Sequence, residues 1–135
     1  MIDINKEKQS KGAVSFKEQA VSFLKLVASG NVDEAYRRYI GSEFHHHNAF
    51  FQGDADSLKL AMKEDATENP NKIFKIKHAI EEGEMVAVHS HVKQNPEDLG
   101  AAVVHIFRFH DGHIVELWDL GQPIPESPPN NNGMF

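Results

Sequence analysis

The run AAVVHIFRFHDGHIVELWDL, residues 101–120, constrains the fold of this chain more than any other stretch. It is rich in β-formers on both sides of Asp111-Gly112, a dipeptide that favours a tight hairpin. A lone hairpin is marginal in water, so its apolar face demands further strands or helices to cover it. Upstream, KIFKIKHAI alternates: Phe74, Ile76, His78 and Ile80 share one face, Lys75 and Lys77 the other, as in a half-buried strand. Glu82-Gly83 then turns into EMVAVHSHVK, and NPEDLG loops into the hairpin.

The first half has a different period. Ser15 with Glu18 three residues on forms a capping-box pattern before FKEQAVSFLKLVASG. Phe16, Ala20, Phe23, Leu24 and Val27 recur at helical spacing, and Gly30 is placed to stop the helix. Asn31 is placed to cap a second helix, VDEAYRRYIG, with Ala35, Tyr36, Tyr39 and Ile40 as its stripe. Asp54 opens a third helix through Leu58, Ala61 and Met62, ended by Asn69-Pro70. Helices followed by antiparallel strands predict an α+β arrangement, a curved sheet with one face covered by about three N-terminal helices.

A chain of 135 residues, 40% hydrophobic and 25% charged, suits one core. Residues 1–14 read as a flexible leader, 15–120 as the domain and 121–135 as a tail. That tail holds four of the six prolines and predicts no regular element. A net charge of −6 without a Lys/Arg cluster argues against nucleic acid as a partner. No stretch approaches the ~20 apolar residues of a membrane span. The polar start lacks a secretion signal, and the absence of cysteine excludes disulfides and thiolate metal sites; a cytoplasmic location fits both.

Hairpin register decides which polar groups share a face. A three-residue HDG loop with Gly112 left-handed pairs Phe109 with His113, His105 with Leu117 and Val103 with Asp119. One face then carries Val103, His105, Phe107, Val115, Leu117 and Asp119. The other carries Ile106, Arg108, Ile114, Glu116 and Trp118, with Arg108 and Glu116 near enough to pair. A two-residue turn shifts the partners by one and separates His105 from Asp119. A carboxylate walled by apolar side chains is desolvated, which raises its pKa toward that of a general base, and a nearby imidazole can polarise a carbonyl. The same spacing also fits a strand-end cap and a core-bound histidine.

Nine histidines allow a rival reading. His89 and His91 share a strand face, and His47 from EFHHHNAFFQGD could add a third nitrogen to a catalytic metal site. His78 reads as a satisfied core-side histidine, His110 and His113 as exposed turn neighbours, and His45 and His46 as solvated loop residues.

The FHHHN stretch with its Gly-Asp helix start, together with VVHIFRFHDGHIVELWDLGQPIP, resembles the SnoaL-like polyketide cyclases. That family belongs to the nuclear-transport-factor-two-like superfamily, with ketosteroid isomerases and scytalone dehydratases. The resemblance runs from the first helix to the prolines after the last strand. It implies a cone-shaped domain enclosing a pocket for a small apolar or carbonyl-containing ligand, with no cofactor and no metal. It implies acid/base work for Asp119, the Asp of the Trp-Asp pair, and a pocket role for His105, fourteen residues earlier. Relatives commonly read Tyr-x-Gln-His-Asn-Pro at the loop, which lays Phe44 on the Tyr and His47 and Asn48 on the His-Asn pair. His46 and Ala49 depart from that pattern. Phe44, His47 and Asn48, with Phe107 and Leu117 from the hairpin face, are thus the expected substrate contacts. The implied chemistry is aldol-type cyclisation, isomerisation or dehydration; the alternative is a non-catalytic ligand binder. Sheets of this superfamily commonly pair through the uncovered side, so Ile106, Ile114 and Trp118 predict a homodimer.

Overall fold

The computed structural model describes residues 14–135, so the expected leader, all but Val14, lies outside the described residues. Three helices precede most of the sheet: α1 (Phe16–Ala28), α2 (Val32–Tyr39) and α3 (Ala55–Glu68). The strands are β1 (Ile40–His46), β2 (Ile73–Glu82), β3 (Met85–Lys93), β4 (Ala101–His110) and β5 (His113–Pro123). Their order in the sheet is β1-β5-β4-β3-β2. The result is the expected α+β fold, helices against one face of a curved, unclosed sheet.

Local signals hold at the helix ends. Ser15 Oγ accepts from the Glu18 N–H, and the Glu18 carboxylate accepts from the Ser15 N–H, both at 3.1 Å. Asp54 accepts from the Ser57 N–H at 3.0 Å to open α3. Asn31 occupies the N-cap position of α2, yet its side-chain amide donates to Ser29 Oγ instead of capping.

The sheet is mixed, not purely antiparallel, because β1 runs parallel to β5. GSEFHH, whose sequence suggests the end of α2 and a loop, belongs to β1. As a strand it alternates after all, with Phe44 and His46 turned inward and His45 outward. An inward histidine breaks the apolar alternation by which strands are recognised.

Two bulges correct the expected faces. The β4–β5 turn has two residues, Asp111 and Gly112, both at positive φ (51° and 77°), and pairs His110 with His113. The extra residue lies in the strand instead: Phe109 pairs with Ile114 but Arg108 with Glu116, leaving Val115 over. His105 therefore lies directly opposite Asp119, in place of Leu117, and Val103 lies opposite Gly121. Ile114 is fully buried within the core, so it cannot belong to the outer face. In β2 a register shift between Ile76 and His78 turns Ala79 toward the core and leaves Ile80 exposed. His78 is thereby exposed on the outer face, where its Nδ1 lies 3.1 Å from that of His89.

The core packs α1 onto the hairpin. Phe23 meets Phe107 edge-on at 6.0 Å, and Phe16 stacks on Phe109 at 4.6 Å. Strand β5 continues through Leu120–Pro123, so the chain's last regular element reaches into the expected tail. Phe135, at the chain end, lies against His89 and His91 on the outer face. No helix among the described residues is long and apolar enough to cross a membrane.

Candidate functional site

Between α1, α3 and the inner face of the sheet lies a cavity of about 310 Å³. Leu24, Val27, Leu58, Met62, Phe74 and Val103 supply apolar wall, and His105, Asp119 and Asn48 face it together. A larger, shallow depression between α1 and Ala79 brings together no comparable constellation. The cavity is the site where a half-buried carboxylate and an imidazole with a buried nitrogen meet.

Strand pairing sets that meeting. His105 and Asp119 are cross-strand partners on the face that carries the buried Phe107 and Leu117. The His105 ring lies over Phe107 at 6.3 Å and near Phe74 at 6.2 Å. Its Nδ1 is buried with no hydrogen-bond partner among the described residues. Burial pulls the His105 pKa down to about 4; the Asp119 charge opposes that and the Lys72 charge adds to it. The imidazole is therefore neutral at pH 7 and carries one N–H and one lone pair. Lys72, also in the cavity wall, is held by Asp65, which accepts a further hydrogen bond from Gln94 at 3.1 Å.

Asn48 fixes Asp119. Its side-chain amide donates to Asp119 Oδ2 at 3.0 Å, while its own oxygen accepts from the Phe50 N–H at 2.9 Å. The backbone N–H of Asn48 donates to His46 Nδ1 at 3.1 Å, and His46 Nε2–H donates to the Gln52 carbonyl at 2.5 Å. His46 is thus no solvated loop residue. It is 6% exposed and braces the turn that delivers Asn48 to the carboxylate. Sequence reasoning missed this role because a histidine inside a polar run carries no periodic signal. Replacing His46 with Phe keeps the ring volume but leaves an N–H and a carbonyl unpaired, so stability should drop by about 2 kcal/mol. Chemical denaturation checks this; a variant as stable as the parent would show that the ring only fills space.

Other expected contacts are placed differently. Phe44, Phe107 and Leu117 are core residues behind the cavity, not part of its lining. His47 turns to the outer face, where Nε2 lies 2.6 Å from Glu116 and the ring stacks on Trp118 at 4.8 Å. It reaches only a shallow depression at the sheet's end that Asn48 and Asp119 also border. His89 and His91 are likewise on the outer face, but β4 and β5 separate them from β1, so the three-histidine set of the rival metal reading does not assemble. Arg108 and Glu116 do pair, at 2.8 Å.

A family model for the SnoaL-like domain matches residues 20–117. The chain belongs to that family. No curated protein is similar enough in sequence to match. Among solved structures, it resembles an NTF2-like protein of unknown function from Cytophaga hutchinsonii at 13% identity and TM-score 0.67, covering 82% of this chain and 93% of the other. IdmH, a candidate polyketide cyclase from Streptomyces antibioticus, matches at 16% identity and TM-score 0.66, covering 81% and 93%. A candidate polyketide cyclase from Acidithiobacillus ferrooxidans matches at 17% and 0.63, covering 80% and 89%. At such identities the likeness establishes the fold, an NTF2-like cone, and leaves the reaction to be argued from the site.

Proposed function

We propose that the protein is a cofactor-free acid/base enzyme acting on a small, largely apolar carbonyl compound. One observation carries the reading: a carboxylate and an imidazole lie opposite each other in one largely apolar cavity. Asp119 takes a proton from the carbon next to the carbonyl. His105 donates an N–H to the oxygen on which negative charge develops. Returning the proton at another carbon completes an isomerisation; attack of the enolate on a second carbonyl completes an aldol ring closure. Asn48 orients Asp119 through Oδ2, leaving Oδ1 as the atom that meets the proton. The structural neighbours named as candidate cyclases favour this reading. It is tested by deuterium exchange: in D₂O the protein should speed label uptake beside the carbonyl of enolisable ketones and β-keto esters. Saturable binding without exchange would make it a non-catalytic binder instead.

The protein is also proposed to act as a homodimer. Ile106 and Trp118 lie on the sheet face opposite the helices, and Leu120 beside them is 62% exposed. Association would remove that apolar surface from water. Sedimentation at micromolar concentration should return twice the chain mass, and a monomer would refute the assembly.

A further inference from the structure

On the outer face, away from the cavity, three side chains converge. His45 and His47 are two residues apart at the end of β1 and point the same way, as strand alternation requires. The parallel pairing sets His45 against Glu116 of β5. His45 Nε2 lies 3.0 Å and His47 Nε2 2.6 Å from the same oxygen, Glu116 Oε2. Arg108 occupies the other oxygen, Oε1, at 2.8 Å, and Trp118 stacks on the His47 ring at an angle of 6°. The three donor atoms all lie within 4.8 Å of one another.

We propose that His45, His47 and Glu116 form a binding site for a divalent transition cation of the zinc type. Two imidazole nitrogens and one carboxylate oxygen are a donor set that suits zinc and its first-row neighbours; calcium and magnesium want oxygen donors throughout. Zinc bonds of about 2.0–2.1 Å in a tetrahedron set donors roughly 3.3 Å apart; both nitrogen–oxygen distances fall short of that by less than about 1 Å, and the two nitrogens lie within 4.8 Å of each other. The histidines are 51% and 43% exposed and can make that adjustment. Arg108 and Trp118 do for these ligands what orienting neighbours do at metal sites: one directs the carboxylate, the other fixes an imidazole plane. Arg108 also brings a competing positive charge, which limits affinity rather than geometry. Bound metal would tie the edge strand β1 to β5 where their register is irregular.

The test uses the full chain without a histidine tag, stripped by chelator, and titrated with Zn²⁺ alone by calorimetry at pH 7.5. About one ion per chain should bind. His45→Ala, His47→Ala and Glu116→Gln should each weaken binding at least about ten-fold. The His78→Ala/His89→Ala double variant and Asp119→Asn should keep full affinity, the latter because the cavity plays no part. Zn²⁺ should raise the melting temperature of the parent and not of His47→Ala, provided both fold alike by circular dichroism. No saturable binding below millimolar Zn²⁺, or binding that survives loss of His45 and His47, would overturn the site and leave the cluster as histidines paired to a carboxylate.

Discussion

Asp119→Asn should lower the rate of α-proton exchange by roughly 10²–10⁴-fold, the usual share of a positioned base. The substitution is close to isosteric, and the new side-chain oxygen can still accept the 3.0 Å hydrogen bond from Asn48. Substrate affinity should change little, because the cavity keeps its shape and its apolar wall. Stability should hold or rise, since a carboxylate costs more to remove from water than an amide does. If Asp119 merely ends the strand, the opposite pairing is expected: exchange intact and a lower melting temperature. His105→Ala separates donor from base. It should cost roughly 10²–10³-fold, as removal of one oxyanion donor does, while leaving the pH dependence of the base in place. A destabilised yet fully active Asp119→Asn protein would end the catalytic assignment.

The parts of this fold that were legible in sequence are those where one local rule acts alone. The capping box of α1, the Asp54 start of α3 and the Asp111-Gly112 hairpin are each fixed by a few adjacent residues, and all three form. Register was not legible, because two bulges each add one residue and so exchange the faces beyond them. The one at Val115 is instructive. A two-residue turn alone would have parted His105 from Asp119, and the extra strand residue restores their parity. Strand β1 was hidden for another reason. Its inward histidine is satisfied by the Asn48 N–H and the Gln52 carbonyl, partners that exist only once the turn has formed. Asp119 and His105 were singled out both by their expected place on one face and by the resemblance, and the sheet brings both to one cavity. Phe44 and His47, carried over from the resemblance, fall elsewhere: Phe44 packs in the core behind the cavity, and the inward side chain at position 46 sends His47 to the outer face.

A second large effect concerns acid. Above pH 6.5 His105 is neutral in folded and unfolded chains alike and its stabilising contribution is complete. As pH falls, the unfolded chain takes up a proton near 6.5, whereas burial delays the folded chain until about 4. Between those values the unfolded state binds more protons, so stability falls with pH through this window and the loss is complete below about 4. At pH 5 the two values correspond to a loss of about 2 kcal/mol from this group. Glu116 acts lower. Burial pushes its pKa up, but hydrogen bonds from His47, Arg108 and His45 outweigh burial and hold it at about 2, so its contribution is lost only below pH 4.5. The two windows barely overlap, so a comparison between pH 7.5 and pH 5.0 leaves Glu116 out. Urea denaturation of the parent and of His105→Gln at both values should show the parent losing about 2 kcal/mol more on acidification. Equal losses would mean that the folded state lets this imidazole charge freely. An imidazole held neutral down to about pH 4 still carries the one N–H that a donor to an enolate oxygen needs.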